Sequence, residues 1–231
     1  NYDELGDKLI DSMRLAFFVL LPVSVAMALL GEPFVRLVFQ RGAFGEQSVQ
    51  YTVSALLLYT PTIWALGLTT IMAAGFISMK NTKTPVIAGF IRLAVKIGLV
   101  FALIGTYKLS GIALATSVSH VFKLGLFLLV LPPVLRRGRY GRLFRAFGGT
   151  ALATAVMAGA LYLVTRGLTG TLVPESLGMR VVVLGGAAVI GAAVYVGAAR
   201  LFARTELAET LQAVRDGVGD VLRKKRRSAS R

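Results

Sequence analysis

The sequence predicts an all-α integral membrane protein with six transmembrane helices. Of its 231 residues, 55% are hydrophobic and only 16% are charged, whereas soluble domains keep about a quarter of their residues charged. Long apolar runs recur along the chain, and a helix of about 20 apolar residues spans the hydrocarbon core of a bilayer. These observations exclude a soluble globular domain.

The first predicted span, 13–30, follows a polar and acidic stretch. Residues 1–12 are expected to form a cytoplasmic interfacial segment. Pro22 lies inside the span, where membrane helices tolerate a proline as a kink. Residues 34–48 are too charged to span and favour an amphipathic turn at the surface. Because the chain starts without Met or a signal segment, we expect that further spans precede it.

Three more spans complete a predicted unit of four transmembrane helices at 13–131. The second span, 49–76, is interrupted by Pro61. The third begins where a threonine followed by a proline, at 84–85, favours a helix N-terminus. A tight connection leads to the fourth span, 112–131. Elements joined by so short a connection are normally neighbours.

The rest of the chain divides into three predicted parts. Residues 132–146 form a basic cytoplasmic loop, and 147–203 hold two further spans, at 147–164 and 179–201. Residues 204–231 form an amphipathic, basic cytoplasmic tail.

Both added spans are rich in small residues four apart, a spacing that lets helix backbones approach closely. We interpret these residues as packing the two helices against each other. A smooth apolar groove for a lipid chain is the alternative. The pairs are Gly149/Ala153, Ala155/Gly159, Ala187/Gly191 and Ala193/Gly197.

Most of the 26 Lys and Arg residues fall in segments that this topology puts on one side of the membrane, chiefly the basic loop and the tail. Cytoplasmic segments carry the excess of Lys and Arg in membrane proteins, so both ends of the chain are predicted to be cytoplasmic. The net charge of +15 would suggest nucleic acid for a soluble protein. Here it favours contact with anionic membrane lipids instead.

The third span contains two cations at membrane depth, Arg92 and Lys96. Residues four apart share a helix face, and a charge at this depth costs at least ~2.5–3.5 kcal/mol, so it usually faces water, a partner or a ligand. A carboxylate is the usual partner, but no Asp or Glu occurs between Gln47 and Pro174. The partner of these cations is therefore not an acid of the neighbouring spans.

The fourth span carries His120 and Lys123, which also fall mid-membrane and could meet Arg92 and Lys96 in one aqueous pocket. A cationic pocket suits an anion, above all a phosphate. These four residues are the predicted site for an anionic headgroup. The alternatives are that Arg92 and Lys123 extend to the membrane interface and that His120 is only a packing residue.

The sequence offers little for catalysis. It has no cysteine and one histidine, and no nucleophile with a base, phosphate-binding glycine loop or zinc spacing stands out. We therefore expect no enzyme activity, no cofactor and no metal. The hydroxyl side chains within the spans are expected to hydrogen-bond between helices; they are Ser54, Thr69, Thr70, Thr116, Ser117 and Ser119.

Three segments of the chain form a recognisable series: LVFQRGAF at 37–44, KTPV at 83–86 and GIALATSVSHVFKLGLFLLVL at 111–131. In this order and at these distances they resemble the C-terminal half of the MurJ/MviN family, the lipid II flippases of bacterial cell-wall synthesis. The resemblance covers 9–131 well, and the last two spans match by position and character.

The resemblance implies the C-terminal part of a fourteen-helix flippase of the MOP exporter superfamily, in the bacterial inner membrane. Four helices would belong to its second lobe, and the last two would form a groove for a polyprenyl tail. The remainder of the same polypeptide, upstream, would supply the other lobe. The substrate would be the lipid-linked peptidoglycan precursor, moved from the inner to the outer leaflet by alternating access. The family commonly has a small polar residue, often Asn, near Lys96, so this lysine is a departure.

Two other functions are open. One is another exporter of the same superfamily, for polysaccharide-lipids or drugs. Cation-coupled drug exporters usually need membrane carboxylates, which these four spans lack. The other is a non-transporting membrane scaffold whose basic tail recruits a partner, in which mid-membrane cations would be a cost without a use.

Overall fold

The protein is a bundle of long helices. The structure, a computed structural model, describes residues 2–40, 42, 44–131, 137–171 and 177–212. Its helices are α1 (Tyr2–Phe39), α2 (Glu46–Ser78), α3 (Lys83–Val130), α4 (Arg137–Thr171), α5 (Leu177–Phe202) and α6 (204–212). The helix α3 is a hairpin of two arms, α3a (Lys83–Lys108) and α3b (Ser110–Val130).

Six of these segments are long and apolar enough to cross a membrane: α1, α2, α3a, α3b, α4 and α5. The predicted fold class, an all-α membrane protein with six transmembrane helices, is confirmed. The first part of the predicted basic loop, 132–136, and the end of the predicted tail, 213–231, lie outside the described residues.

Two helices run furthest beyond the predicted spans. The helix α1 passes through Pro33 and ends only at Phe39, inside the predicted surface turn. A proline removes one backbone hydrogen bond, but Arg36 pairs with Glu32 one turn away and supports the continuing helix. The helix α4 begins at Arg137, inside the predicted basic loop.

The two arms of α3 lie side by side because the backbone turns sharply at Lys108, whose φ of 49° and ψ of −126° are not helical. Gly111 follows on the second arm. A Cβ atom at this position would lie 2.8 Å from the carbonyl oxygen of Leu103 on the first arm. The absent side chain of Gly111 therefore lets the two arms approach closely, as the predicted tight connection requires.

The helix α1 lies between two parts of the bundle. It packs against α2, which packs against α3, and on another side it packs against α4 and α5. Phe17 of α1 shows the arrangement: its ring stacks on Phe147 of α4 at a centroid distance of 4.0 Å and meets Trp64 of α2 edge-on at 5.8 Å. Such close packing holds helices together in lipid, where apolar burial alone does not.

The Pro22 site of α1 is completed by a hydroxyl from another helix. Pro22 has no N–H, so the carbonyl of Phe18 four residues earlier loses its helical donor. The hydroxyl of Tyr195 on α5 donates to that carbonyl at 2.6 Å. This buried hydrogen bond joins α5 to α1 at the place where the helical hydrogen bonding of α1 is interrupted.

Pro61 is accommodated by a hydroxyl of its own helix, α2. It leaves the carbonyl of Leu57 without a helical donor, and Thr60 donates its hydroxyl to that oxygen at 2.7 Å. One residue further on, Ser117 of α3b donates to the carbonyl of Leu58 and lies 2.8 Å from the hydroxyl of Thr62. The proline turn of α2 is thus held to α3b by hydrogen bonds.

The other hydroxyls do not follow the prediction that they join helices. Thr69, Thr70, Thr116 and Ser119 each donate to a carbonyl three or four residues earlier in their own helix. That part of the prediction was wrong. The reason is that a Ser or Thr hydroxyl can always reach the carbonyl of the preceding turn, whereas a partner helix must come within reach. Ser117 does cross to α2.

The small-residue pairs of α4 and α5 divide into two sets. Gly149 meets the carbonyl of Phe202, and Gly191 packs against Leu161, so both glycines lie in the contact between the helices. The pairs that pack as predicted are Gly149/Ala153 and Ala187/Gly191. The pairs Ala155/Gly159 and Ala193/Gly197 are exposed instead, so mutual packing was wrong for them.

Candidate functional site

The predicted cations Arg92 and Lys96 lie on the less exposed face of α3a. The residues of that face recur every three to four positions. They are Pro85, Ala88, Arg92, Lys96, Leu99 and Leu103. The opposite face is strongly exposed, with Phe90 at 69% and Phe101 at 78% of their full exposure. An apolar outer face suits contact with lipid, so the helix turns its two charges away from its most exposed side.

Arg92 contacts His120 across the hairpin. Its Nη1 atom lies 3.4 Å from Nε2 of His120, at the long end of the hydrogen-bond range. A guanidinium can only donate, so Nε2 of His120 is the acceptor. Arg92 therefore lies against α3b and does not extend along α3a towards the membrane interface.

Lys123 lies one turn beyond His120 on α3b. Its Nζ atom is 5.2 Å from the centroid of the Phe127 ring, within the range of a cation–π contact. Phe127 is itself fully buried and packs on Phe76 of α2. The ammonium is therefore drawn towards the interior of the α2–α3 contact.

All three cations act electrostatically on His120. Arg92, Lys96 and Lys123 each lie close enough that their charges would repel the ring in its protonated form. The structure thus brings the four predicted residues into one neighbourhood, near the middle of the two arms. Each is half-buried, a position in which it keeps a path to water while lying among apolar helices.

The cation cluster, which we define as Arg92, Lys96, His120 and Lys123, has no carboxylate of its own. The chain between Gln47 and Pro174 contains no Asp or Glu. The ion-paired cations Lys8, Arg14, Arg36 and Arg142 belong to α1 and α4, not to the hairpin that carries the cluster. Unpaired cations in a low-dielectric setting bind an anion strongly.

A second polar site, which the sequence analysis did not find, joins α1 to α6. The Nη2 and Nε atoms of Arg14 lie 2.7 and 3.2 Å from Oε1 of Glu206, and the Glu206 side chain is only 4% exposed. The signal in the sequence was weak, because both residues look like ordinary interfacial charges and lie 192 positions apart. Only the fold brings them together.

The electrostatics of Glu206 follow from this contact. Burial by itself would raise the pKa of Glu206, but the hydrogen bond from Arg14 and smaller ones from its own backbone and Thr205 outweigh it. The pKa of Glu206 therefore lies below the usual range of a glutamate. A second ion pair at the same end of the bundle, Arg142 with Asp7 at 2.7 Å, joins α4 to α1.

A metal site is not visible in the described ranges, where no three His, Asp or Glu side chains come together. The chemistry of the cation cluster is that of anion binding. Arg92 offers a planar fork of donors, and the two lysines offer compact point charges, a combination suited to the oxygens of a phosphate.

Six membrane-spanning helices with a cluster of cations at mid-membrane define a polytopic membrane protein with an internal polar site. The family model "Lipid II flippase MurJ" matches residues 1–183 of the chain. The chain therefore belongs to the lipid II flippase MurJ family. The six apolar helices and this membership together indicate a multi-pass protein of the bacterial inner membrane.

Individual relatives agree with the family model. A probable lipid II flippase MurJ of Rhizobium meliloti is 32% identical over 70% of this chain and 30% of its own length. One of Thermotoga maritima is 30% identical over 90% of this chain and 40% of its own length. The chain thus spans well under half the length of these two relatives.

The fold agrees with a solved structure of lipid II flippase MurJ in an inward closed conformation. The TM-score is 0.72 over 88% of this chain and 40% of that one, at 23% sequence identity. At that identity the likeness concerns the arrangement of the helices.

Proposed function

We propose that this chain forms the C-terminal part of a lipid II flippase. The flippase moves the undecaprenyl-diphosphate-linked peptidoglycan precursor from the inner to the outer leaflet by alternating access. The upstream part of the same polypeptide provides the other lobe. Membership of the MurJ family supports this function, and the observation that carries it is the cation cluster among spans without carboxylates.

The cation cluster receives the diphosphate of the substrate. Arg92 and Lys96 approach it from α3a, and His120 and Lys123 approach it from α3b. A diphosphate cannot cross the hydrocarbon core unless its charge is matched, because an isolated charge at that depth is costly. Cations on both arms of a hairpin supply that match near the midplane, and rocking of two lobes about such a site changes the side from which it is open.

The last two spans provide an apolar groove for the polyprenyl tail. The exposed pairs Ala155/Gly159 and Ala193/Gly197 support this role. Small side chains leave a smooth surface on which an isoprenoid chain can lie, and the remaining small pairs keep α4 and α5 in contact behind it.

Both ends of the chain lie on the cytoplasmic side. The ends of α1, α4, α5 and α6 that meet at the Arg142–Asp7 and Arg14–Glu206 pairs also carry Arg145, Arg200 and Arg204. Cations next to a membrane surface attract anionic lipids by about 1 kcal/mol each. We therefore assign this end of the bundle to the cytoplasmic leaflet.

The test of the proposed function is Lys96→Gln in the full-length protein, with Lys83→Gln as the matched control. Both lysines lie on α3a, but Lys83 is exposed where the helix begins, and Lys96 is half-buried at its middle. Flipping of a fluorescent lipid II is measured in proteoliposomes, and thermal stability is measured in detergent.

A flippase should lose roughly tenfold or more of its rate with Lys96→Gln, because about 1.4 kcal/mol of lost headgroup interaction is a factor of ten. Lys83→Gln should leave the rate nearly unchanged. If Lys96→Gln raises the thermal stability and leaves flipping intact, the proposed role of the cluster is wrong. If the wild type itself does not flip lipid II, the chain is a scaffold or acts on another substrate.

A further inference from the structure

His120 lies in a position that disfavours a proton on its Nε2 atom. Its Nε2 atom faces Nη1 of Arg92 at 3.4 Å, and a guanidinium has no lone pair to offer a proton on that nitrogen. Nε2 is therefore unprotonated, and the ring is the neutral tautomer with its proton on Nδ1. Nδ1 is buried and has no hydrogen-bond partner among the described residues.

The surroundings of His120 all favour this neutral form. Arg92 and Lys96 face it from α3a, and Lys123 lies one turn away on its own arm. The helix α2, which packs on this hairpin, has no Asp, Glu, Lys, Arg or His between 47 and 78; its titratable side chains there are Tyr51 and Tyr59. A fourth positive charge would meet three others with no carboxylate to compensate it.

An anion in the cluster removes both obstacles to protonation of His120, namely the uncompensated positive charge and the contact of Arg92 with Nε2. Its negative charge offsets the three cations, and Arg92 can turn its donors from Nε2 to the oxygens of the anion, to which charge-assisted hydrogen bonds are stronger. Nε2 is then free to take a proton from solvent and to donate it to an anion oxygen in the place that Arg92 left.

We propose that binding of a diphosphate at the cation cluster is coupled to the uptake of one proton by His120. This inference rests on the proposed function, because it takes the cluster as the headgroup site. His120 is then neither a packing residue nor a permanent cation. It is a group that adds a fourth positive charge only while the diphosphate is present, and it returns its proton when the diphosphate leaves.

Linkage gives the coupling a measurable size. When binding takes up one proton, the dissociation constant changes by up to about tenfold per pH unit, and binding weakens as the pH rises. A glutamine at position 120 keeps a hydrogen-bonding amide but cannot titrate, so this part of the pH dependence disappears.

The first experiment follows the protonation state of His120 in the empty protein. The full-length protein is labelled with ¹⁵N-histidine, and the signal of His120 is assigned as the one missing from His120→Gln. At neutral pH without anion we expect the neutral ring with its proton on Nδ1. An imidazolium signal under these conditions overturns the inference.

The second experiment measures binding and proton uptake together, with inorganic pyrophosphate and with undecaprenyl diphosphate as probes. Pyrophosphate itself titrates near neutral pH, so the readout is the difference between the wild type and His120→Gln. The wild type should take up about one proton more per bound anion. Arg92→Gln should weaken binding itself.

The outcomes separate the two proposals. Binding with equal proton uptake in both proteins overturns the coupling and leaves the proposed headgroup site standing. Binding of neither probe, or binding that Arg92→Gln does not change, rejects the headgroup site and the coupling with it. Binding of the lipid alone identifies the lipid headgroup as the ligand, whereas equal binding of pyrophosphate identifies the diphosphate itself. Either result supports the coupling when the extra proton accompanies it.

Discussion

The carboxylate of Glu206 is buried between α1 and α6 and is held there by Arg14. Removing one partner of such a pair leaves a charge without compensation in a place from which water is excluded. Arg14 also has Asp11 at 3.2 Å and Glu209 at 3.9 Å, but both carboxylates are about half exposed. Glu206 is therefore the residue of α6 that contributes most to holding this helix against α1.

Replacing Glu206 by Gln should destabilise the protein by roughly 1–3 kcal/mol at neutral pH, the usual cost of losing a hydrogen bond to a charged group. Because the pKa of Glu206 is lower in the folded than in the unfolded protein, its stabilisation is complete above the unfolded pKa of about 4.3. It is lost as the pH falls through the lower folded pKa. Thermal unfolding at a series of pH values measures the difference between the wild type and Glu206→Gln.

Glu4→Gln is the control, because Glu4 pairs with Lys8 with both side chains largely exposed. Exposed pairs contribute little, so this variant should unfold close to the wild type at all pH values. A gap between wild type and Glu206→Gln that stays constant down to pH 3 would contradict the assignment of Arg14–Glu206 as an ion pair.

At the scale of single helices, the contact between α4 and α5 depends on where the glycines lie along each helix. Gly149 meets the backbone carbonyl of Phe202, an atom that cannot rotate away, whereas Gly159 has nothing within 4 Å of the place where a Cβ would be. The two glycines lie on the same helix, ten positions apart. They differ only in the surface that they face.

Gly149→Ala should therefore destabilise the protein by about 1–3 kcal/mol, the usual cost of overfilling a packed contact. Gly159→Ala should instead stabilise it by about 0.5–1 kcal/mol, because alanine is the better residue in an unobstructed helix. Thermal unfolding of the two variants in the same detergent compares them directly. If both substitutions stabilise the protein, Gly149 does not lie in the contact between the helices.

At the scale of the whole molecule, the distribution of charge decides the orientation in the membrane. The basic ends of α4 and α5 lie at one end of the bundle with the start of α1. The opposite end has the Arg36–Glu46 pair, at 2.6 Å, between α1 and α2. We propose that the excess of cations at the first end places it on the cytoplasmic side.

Single cysteines test this orientation, because the chain has none of its own. Arg145→Cys and Gln47→Cys are both at exposed positions, at opposite ends of the bundle. In the full-length protein with any other cysteines replaced, an impermeant maleimide should label Gln47→Cys from the periplasm of intact cells. It should reach Arg145→Cys only after the inner membrane is opened. The reverse pattern would invert the topology.

Much of this molecule can be derived from the sequence. The six spans, the tight turn between the arms of α3 and the placement of Arg92 and Lys96 on one face of α3a all follow from local rules, namely apolar length and helical period. The polar contacts between distant segments do not. Pro22 shows that the carbonyl of Phe18 needs a new donor, but nothing in the sequence near it indicates that the donor is Tyr195 on α5.

The sequence by itself determined the class of protein, the number of spans and the residues of the cation cluster. The reason is that each membrane-spanning helix must be apolar and must pair its own backbone polar groups within the bilayer. Only the tertiary structure decided which small pairs of α4 and α5 touch, that Arg14 finds Glu206, and that Arg92 lies against His120. The physical reason is that these contacts depend on the rotation of each helix about its axis. That rotation is set by the packing of all the helices together and not by the pattern of any one of them.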